Sequence, residues 1–261
     1  MMHMQEERMG TLVIATSNLG KLDEFKEMFK ELPVELKCLA DYPPLPPPNE
    51  NGRTFAANAK TKATYYAKHL NEFCLADDSG LEVKALGGEP GVRSARFAGE
   101  EATDKENNDL LLQQMKFQIT RTCRFRCALA VANPTGRIVA ETDGSCEGML
   151  LHEPLGENGF GYDSLFWSTE LHKGLGEATA EEKNKISHRG KAVRKLIAMW
   201  KKAANNKNGK RQEKQGRKYS NEQQVNGKAE QENGASKPER EARPDTKPEV
   251  KPESKPEPET N

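Results

Sequence analysis

The chain has 261 residues with 40 basic and 40 acidic side chains, so its formal net charge is zero, which excludes the broad electropositive footprint of a nucleic-acid-binding protein. No run is apolar enough to span a bilayer, and the start Met1-Met2-His3-Met4-Gln5-Glu6-Glu7 lacks the apolar core of a signal peptide, so a cytoplasmic protein is expected. Cys38, Cys74, Cys123, Cys127 and Cys146 sit mostly in apolar runs, with neither a CxxC pair nor zinc-ligand spacing, and read as reduced core residues.

Residues 1–10 are expected to be flexible, and a single folded domain is expected over 11–202. Thr11-Leu12-Val13-Ile14-Ala15-Thr16 is a β-rich apolar run, a first strand broken by Ser17-Asn18-Leu19-Gly20. Lys21 then opens a helix whose apolar residues, Leu22, Phe25, Met28, Phe29 and Leu32, share one face. A strand, a short polar loop and a helix that starts with a lysine form a geometry suited to phosphate. The N–H groups of a first turn and the positive end of the helix dipole favour an anion. The glycine spacing is not that of a Walker loop. Val34 to Leu39 reads as a second strand, and Pro43-Pro44-Leu45-Pro46-Pro47-Pro48 as an extended loop. A helix is expected from Thr54 to Leu70, packing through Ala56, Ala59, Ala63, Tyr66, Ala67 and Leu70. Glu50, at its entry, is either a charge favoured by the dipole or a metal ligand.

The apolar run Phe73-Cys74-Leu75-Ala76 meets two carboxylates, a hydroxyl and a glycine at Asp77-Asp78-Ser79-Gly80. This predicts a buried strand that ends there, with both carboxylates at the rim of a sheet, where ligands of open α/β sheets sit. Side chains alternate along a strand, so one carboxylate faces a cleft and the other faces structure. An Asx turn capping the strand accounts for the same residues. Thr103-Asp104-Lys105-Glu106 is a capping box starting a helix with Leu110, Leu111 and Met115 inward. Cys123, Phe125, Cys127, Leu129 and Val131 alternate with Thr122, Arg124, Arg126, Ala128 and Ala130, a strand that Asn133-Pro134-Thr135-Gly136 turns into a hairpin returning over Arg137 to Asp143.

Gly156-Glu157-Asn158-Gly159-Phe160-Gly161-Tyr162-Asp163 is either a ligand loop, with close backbone approach and aromatic faces for a base, or a loop merely anchored by its aromatics. Thr179-Ala180-Glu181-Glu182 is a second capping box and places Lys183 in a first helical turn. Ser187-His188-Arg189-Gly190 precedes a last helix with Ala192, Val193, Leu196, Ile197 and Trp200 on its buried face. From 203 to 261 large apolar residues almost vanish and Lys-Pro-Glu repeats appear. Such a segment buries too little to offset its ordering entropy and is expected to be disordered. Its basic block, Lys207 to Lys218, is either a solvated spacer or a weak RNA contact.

Taken together, these segments resemble the inosine triphosphate pyrophosphatase family over Leu12 to Trp200. The blocks are Ala15-Thr16-Ser17-Asn18-Leu19-Gly20-Lys21; Ala76-Asp77-Asp78-Ser79-Gly80-Leu81; Leu86-Gly87-Gly88 with Pro90-Gly91 and Ser94-Ala95-Arg96; Asn158-Gly159-Phe160-Gly161-Tyr162-Asp163; and Glu182-Lys183-Asn184 with Ile186-Ser187-His188-Arg189-Gly190. The resemblance implies an elongated α/β protein with a central mixed sheet flanked by helices, two lobes with a nucleotide cleft between them, and a homodimer. It implies Mg²⁺-dependent hydrolysis of non-standard purine nucleoside triphosphates (ITP, dITP, XTP) to monophosphate and pyrophosphate. Carried over residue by residue, Thr16, Ser17, Asn18, Leu19, Gly20 and Lys21 hold the triphosphate and Ser79 contacts phosphate. Phe160, Gly161, Tyr162 and Asp163 meet base and sugar, Lys183 a phosphate, and His188 and Arg189 the purine. Asp78 is the catalytic carboxylate and a metal ligand with Glu50, facing a groove lined by Lys21, Phe160 and Arg189.

Three positions depart from the family pattern: Asn49-Glu50 stands for paired acidic residues, Ala57-Asn58 for a glutamate-asparagine pair, and Ser164 for a proline. The rival readings are a Maf-like pyrophosphatase of different base choice and a nucleotide-binding module without catalysis.

Overall fold

The computed structural model describes residues 9–205. The first eight residues, and the tail from 206 onward with its basic block, lie outside the described residues. The strands and helices are β1 (Met9–Ile14), α1 (Leu19–Phe29), β2 (Val34–Cys38), α2 (Phe55–Leu70), β3 (Phe73–Val83), α3 (Asp104–Gln114), β4 (Thr122–Ala132), β5 (Ile138–Leu150), β6 (Phe166–Ser168), β7 (Lys173–Gly174), α4 (Ala180–Ile186) and α5 (188–205). Helix α5 continues past 202, where composition alone places the end of the folded domain.

The strands form one mixed seven-stranded sheet in the order β2-β1-β3-β4-β5-β6-β7. β1 runs parallel to both β2 and β3, and every other pairing is antiparallel. α1 and α5 cover one face of its first half, burying Leu22, Phe25, Phe29, Ala192, Val193 and Leu196 against Leu12, Ile14, Leu75, Cys127 and Leu129. α2 covers the other face through Phe55, Ala59, Ala63, Tyr66 and Ala67, against Val13, Ala15, Cys74, Ala76 and Ala128. A further cluster fills the far half of the β3–β4–β5 ribbon, where Leu81, Phe125 and Leu150 meet Leu111, Met115, Tyr162 and Phe166. Each large apolar side chain so buried contributes roughly 1.5–3 kcal/mol before the entropy of ordering is counted.

The structure corrects three details of the sequence reading. α2 packs through Phe55 and Asn58, and Ala56 is exposed, because Thr54 caps the helix and sets its first turn. β4 alternates only in its first half, since from Cys127 to Ala132 helices cover both faces and every residue is buried. Most important, β3 does not stop at Asp77. It continues to Val83, paired with β4 at every residue from Cys74. Gly80 is not a turn residue: a Cβ there would lie 2.2 Å from Ser94 Oγ and 2.5 Å from the Gly91 carbonyl, so glycine is what lets the 91–96 segment pack onto the strand.

Candidate functional site

β1 ends at Ile14, paired with Leu75, and its chain leaves the sheet after the bond from Ala15 N–H to the Leu75 carbonyl at 2.7 Å. β3 runs on, so from Ala76 it has no strand on that side. Asp77, Asp78 and Ser79 lie at this newly exposed edge, beside the turn into α1. Asn18 caps α1 by accepting from Lys21 N–H at 2.9 Å, and Thr16 Oγ1 accepts from Asn18 N–H at 3.2 Å. Thr16 is half-buried, whereas Ser17, Asn18 and Leu19 are exposed.

Alternation along β3 separates the two carboxylates. Asp77 shares its face with Leu75 and Leu81, toward α1 and α5, and is 2 % exposed. Lys21 Nζ and Arg189 Nη2 each lie 3.0 Å from its Oδ2, and Ser79 Oγ donates to that same oxygen at 3.0 Å. Burial by itself would raise this carboxyl, but Lys21, Arg189 and Lys62 outweigh it and hold the group far below the ordinary carboxylate range. Asp77 is therefore ionised and committed.

Asp78 faces the other way, toward α2, and is 8 % exposed. Asn58 Nδ2 donates to its Oδ2 at 2.9 Å, and Lys62 Nζ stands 3.7 Å from Oδ1. Here burial wins: the Asp78 carboxyl is raised, with Lys62 and Asn58 offsetting only part. Lys62 also pairs with Glu50 at 2.9 Å. Burial works against its ammonium, but Asp77, Asp78 and Glu50 together raise it above the usual lysine range. Neighbouring carboxyls with opposite shifts are the usual mark of a division between a proton acceptor and a fixed charge.

This geometry corrects the expected grouping. Lys21 and Arg189 meet Asp77, not Asp78, because a strand that continues through the pair must turn adjacent side chains to opposite faces. Asp78 instead meets Asn58 and Lys62, one helical turn apart on α2. Lys62 was missed by the sequence reading. Its signal was a polar pair at i, i+4 interrupting the apolar stripe of Phe55, Ala59, Ala63 and Tyr66.

Glu24, three residues after Lys21, was also missed. It accepts from Arg189 and lies 2.8 Å from Lys183 Nζ. Arg189 is 1 % exposed, and its Nη2 reaches both Asp77 and Ser79, at 3.0 and 2.8 Å. Although burial opposes its charge, Asp77 and Glu24 raise its pKa above the ordinary guanidinium value. Lys183, 5 % exposed, pairs with Asp163 as well as Glu24, and Phe160 N–H also donates to the Asp163 carboxylate at 2.9 Å. The Phe160 ring lies over these cations, its centroid 4.3 Å from Lys183 Nζ and 5.8 Å from Arg189 Cζ. It also packs on Gly20, where a Cβ would come within 2.5 Å of Phe160 Cδ1.

Tyr162 is buried and donates to the Ser94 carbonyl at 2.8 Å. His188 is buried and stacked on Phe125 at 4.8 Å; burial, then Arg189 and Lys183, depress its pKa and keep it neutral. The side chains of His188 and Arg189, expected at the purine, are thus packed inside, and Arg189 is spent on carboxylates. Two concavities, about 330 Å³ beside Glu82 and Arg124 and about 560 Å³ between Asp143 and Arg194, contain none of these residues. The site is recognised by its paired charges, not by its volume.

No group of three or more His, Cys, Asp or Glu side chains could hold a metal ion among the described residues. Glu50 and Asp78 nevertheless converge on the single Lys62 ammonium. Two converging carboxylates fit Mg²⁺, which keeps waters and takes its remaining ligands from substrate phosphates rather than an all-protein cage.

Comparisons with known proteins identify the family. A family model described as "Ham1 family" matches residues 12–199. A dITP/XTP pyrophosphatase from Bacillus cereus is 48 % identical over 194 residues, which cover 73 % of this chain and 94 % of that protein. One from an Exiguobacterium species is 50 % identical over 187 residues, 72 % of this chain and 95 % of that one. Among solved structures, the Ham1 protein of Staphylococcus aureus is 37 % identical with a TM-score of 0.66, covering 74 % of this chain and 99 % of that one. A HAM1 protein from Coxiella burnetii is 34 % identical with a TM-score of 0.67, covering 74 % and 100 %.

Proposed function

Because the chain belongs to the Ham1 family, we propose that it is a nucleoside triphosphate pyrophosphatase that hydrolyses non-standard purine nucleotides (ITP, dITP and XTP) to monophosphate and pyrophosphate. The observation that carries this reading is the pair of oppositely shifted carboxylates at the edge where β1 stops, each with its own lysine.

In the proposed reaction water attacks the α-phosphorus, the α–β anhydride bond breaks and pyrophosphate leaves with the bond's electron pair. Such transfers need alignment and charge neutralisation more than covalent help. Asp78 accepts the water's proton. Burial raises its pKa, which makes it a better base than an ordinary carboxylate. Lys21, at the start of α1, and Lys62, on the opposite face of β3, flank the edge and offset phosphate charge. Asp77 takes no proton; it holds Lys21 and Arg189 in place. Asp78 and Glu50 would hold Mg²⁺, which when bound supplies positive charge against the phosphate oxygens.

A 6-keto purine presents an acceptor where adenine presents an amino donor, so a donor facing that position, such as a backbone N–H, favours the keto base. Lys183 and Arg189 are already paired with carboxylates beneath Phe160, whose ring supplies a face for stacking on the base. The folded domain acts as a homodimer in the cytoplasm on this reading, and no helix among the described residues is long and apolar enough to cross a membrane. Turnover of ITP, XTP, dITP, GTP and ATP, with and without Mg²⁺ and with products identified, tests the proposal. ITP should give IMP and pyrophosphate only with the metal present. Equal rates for ATP and ITP would end the argument for base choice, and phosphate as the product would end the assignment of the bond cleaved.

A further inference from the structure

We propose that Asp104 and Asn108, one turn apart on α3, are positioning residues that hold the Phe160 loop where nucleotide recognition requires it. Gly161 N–H donates to Asp104 Oδ2 at 2.6 Å, and the Gly161 carbonyl accepts from Asn108 Nδ2 at 3.0 Å. Both polar groups of one loop residue are thus taken by one face of one helix. Other outside contacts hold the two ends of the loop. Asn158 donates from its backbone N–H to the Gly176 carbonyl at 2.8 Å and from Nδ2 to the Ala178 carbonyl at 3.2 Å. Tyr162 donates to the Ser94 carbonyl and Lys183 pairs with Asp163, whereas α3 takes both backbone groups of Gly161 between them. Gly159 and Gly161, on either side of Phe160, have φ of +81° and +62°, a backbone that joins neither helix nor strand. Inside the loop, Asp163 takes the Phe160 N–H.

The sequence of α3 is hard to explain without this contact. Asp104 suits a first turn through the dipole alone, but Asn107-Asn108 stands in the helix interior, where asparagine is a poor helix former. Asn107 ties α3 to the 91–98 segment, accepting from Ala98 N–H at 2.8 Å and donating to the Ala95 carbonyl at 3.2 Å. Asn108 has only Gly161, and its Oδ1 is buried without a partner, a penalty that stability alone would not retain.

The clamp bears on recognition because of where the half-buried Phe160 ring lies. It packs on Gly20 at the turn into α1 on one side and over Lys183 and Arg189 on the other. A loop free to drift would carry the ring off both. Losing the clamp therefore lowers the fraction of molecules competent to bind, which raises KM and leaves the bound complex to react as before.

The inference rests on the proposed pyrophosphatase activity, so the test has an arm that needs no turnover. Steady-state kinetics with ITP would compare Asp104→Ala, Asp104→Asn, Asn108→Ala, Phe160→Ala and the Asp104→Ala/Phe160→Ala double variant. Hydrogen exchange of 158–163 would be followed in the same proteins without nucleotide. Asp104→Ala should raise KM about tenfold, as when a charge-assisted bond is lost and the loop is competent about a tenth of the time, with kcat changed less than about twofold. Asp104→Asn, whose amide oxygen still accepts, should recover most of the loss, and in the Phe160→Ala background the clamp substitution should add nothing. A fall in kcat at unchanged KM, or a full effect persisting without Phe160, would overturn the proposal. If the unaltered protein hydrolyses no nucleotide, the functional reading fails on its own. Exchange then decides the clamp: faster exchange over 158–163 in Asp104→Ala and Asn108→Ala supports it, and unchanged protection refutes it.

Discussion

Adjacent carboxylates on opposite faces of one strand should fail in opposite ways. Asp77→Asn removes the negative charge shared by Lys21 and Arg189, and both the Asp77 and Arg189 side chains are only 1 % exposed. Breaking a buried pair by deleting one partner costs about 3–5 kcal/mol where the surviving charge is left without compensation. Glu24 still faces Arg189, so the lower end, about 3 kcal/mol, is expected, a fall in Tm of about 6–12 °C for a domain of this size. Asp78→Asn removes a carboxylate whose burial already works against its charge, keeps an acceptor for Asn58, and leaves Lys62 paired with Glu50 at 2.9 Å. Its Tm should stay within about 3 °C of the parent, whereas kcat should fall about a hundredfold or more.

Differential scanning calorimetry beside steady-state ITP turnover separates the two. The pH dependence adds a check on sign. The folded pKa of Asp77 is depressed, so its stabilisation is present above its unfolded value near 3.8 and is lost as pH falls through the folded value. The Tm gap between parent and Asp77→Asn should therefore close on strong acidification. Asp78 is shifted the other way, so the parent loses stability relative to Asp78→Asn as pH rises through the folded value of Asp78. An Asp77→Asn protein that melted with the parent, or an Asp78→Asn protein that kept more than about a tenth of its turnover, would refute the division of roles.

Two further outcomes are expected. Lys62 is the largest of the influences lowering the Asp78 pKa, so Lys62→Ala should move the acid limb of the kcat/KM profile to higher pH; a limb that stayed put or moved down would show that another group controls it. Gly80→Ala should destabilise by about 1–3 kcal/mol through overpacking against Ser94 and the Gly91 carbonyl, with Ser94→Ala in the same chain restoring part of the lost Tm; an unchanged Tm would mean that the 91–96 segment yields freely.

Much of this protein could be read without coordinates. The strand-loop-helix of 11–29, both capping boxes and the 122–143 hairpin follow from local rules that hold wherever the segment sits: a Ser/Thr three residues before a glutamate, an apolar period of two or of three to four, a proline-glycine turn. The ordered blocks that carried the family resemblance were legible for the same reason, since each is short and contiguous. What stayed hidden depends on partners far apart in the chain. Asp77-Asp78-Ser79-Gly80 looked like a strand end because carboxylates and glycine are poor strand residues. β3 runs through them because β4 supplies the ladder, Lys21, Lys62 and Arg189 balance the charge, and Ser94 needs the space a side chain would fill.

That continuity decides which carboxylate meets which lysine. Local pattern determined that two adjacent acidic side chains follow an apolar strand run and that a phosphate-suited turn follows β1. Only the packing of α1 and α5 on one face and α2 on the other determined that Asp77 is fixed by Lys21 and Arg189 while Asp78 is left with Asn58 and Lys62. A strand sends neighbouring side chains to opposite sides, and nothing within the strand says what waits on either.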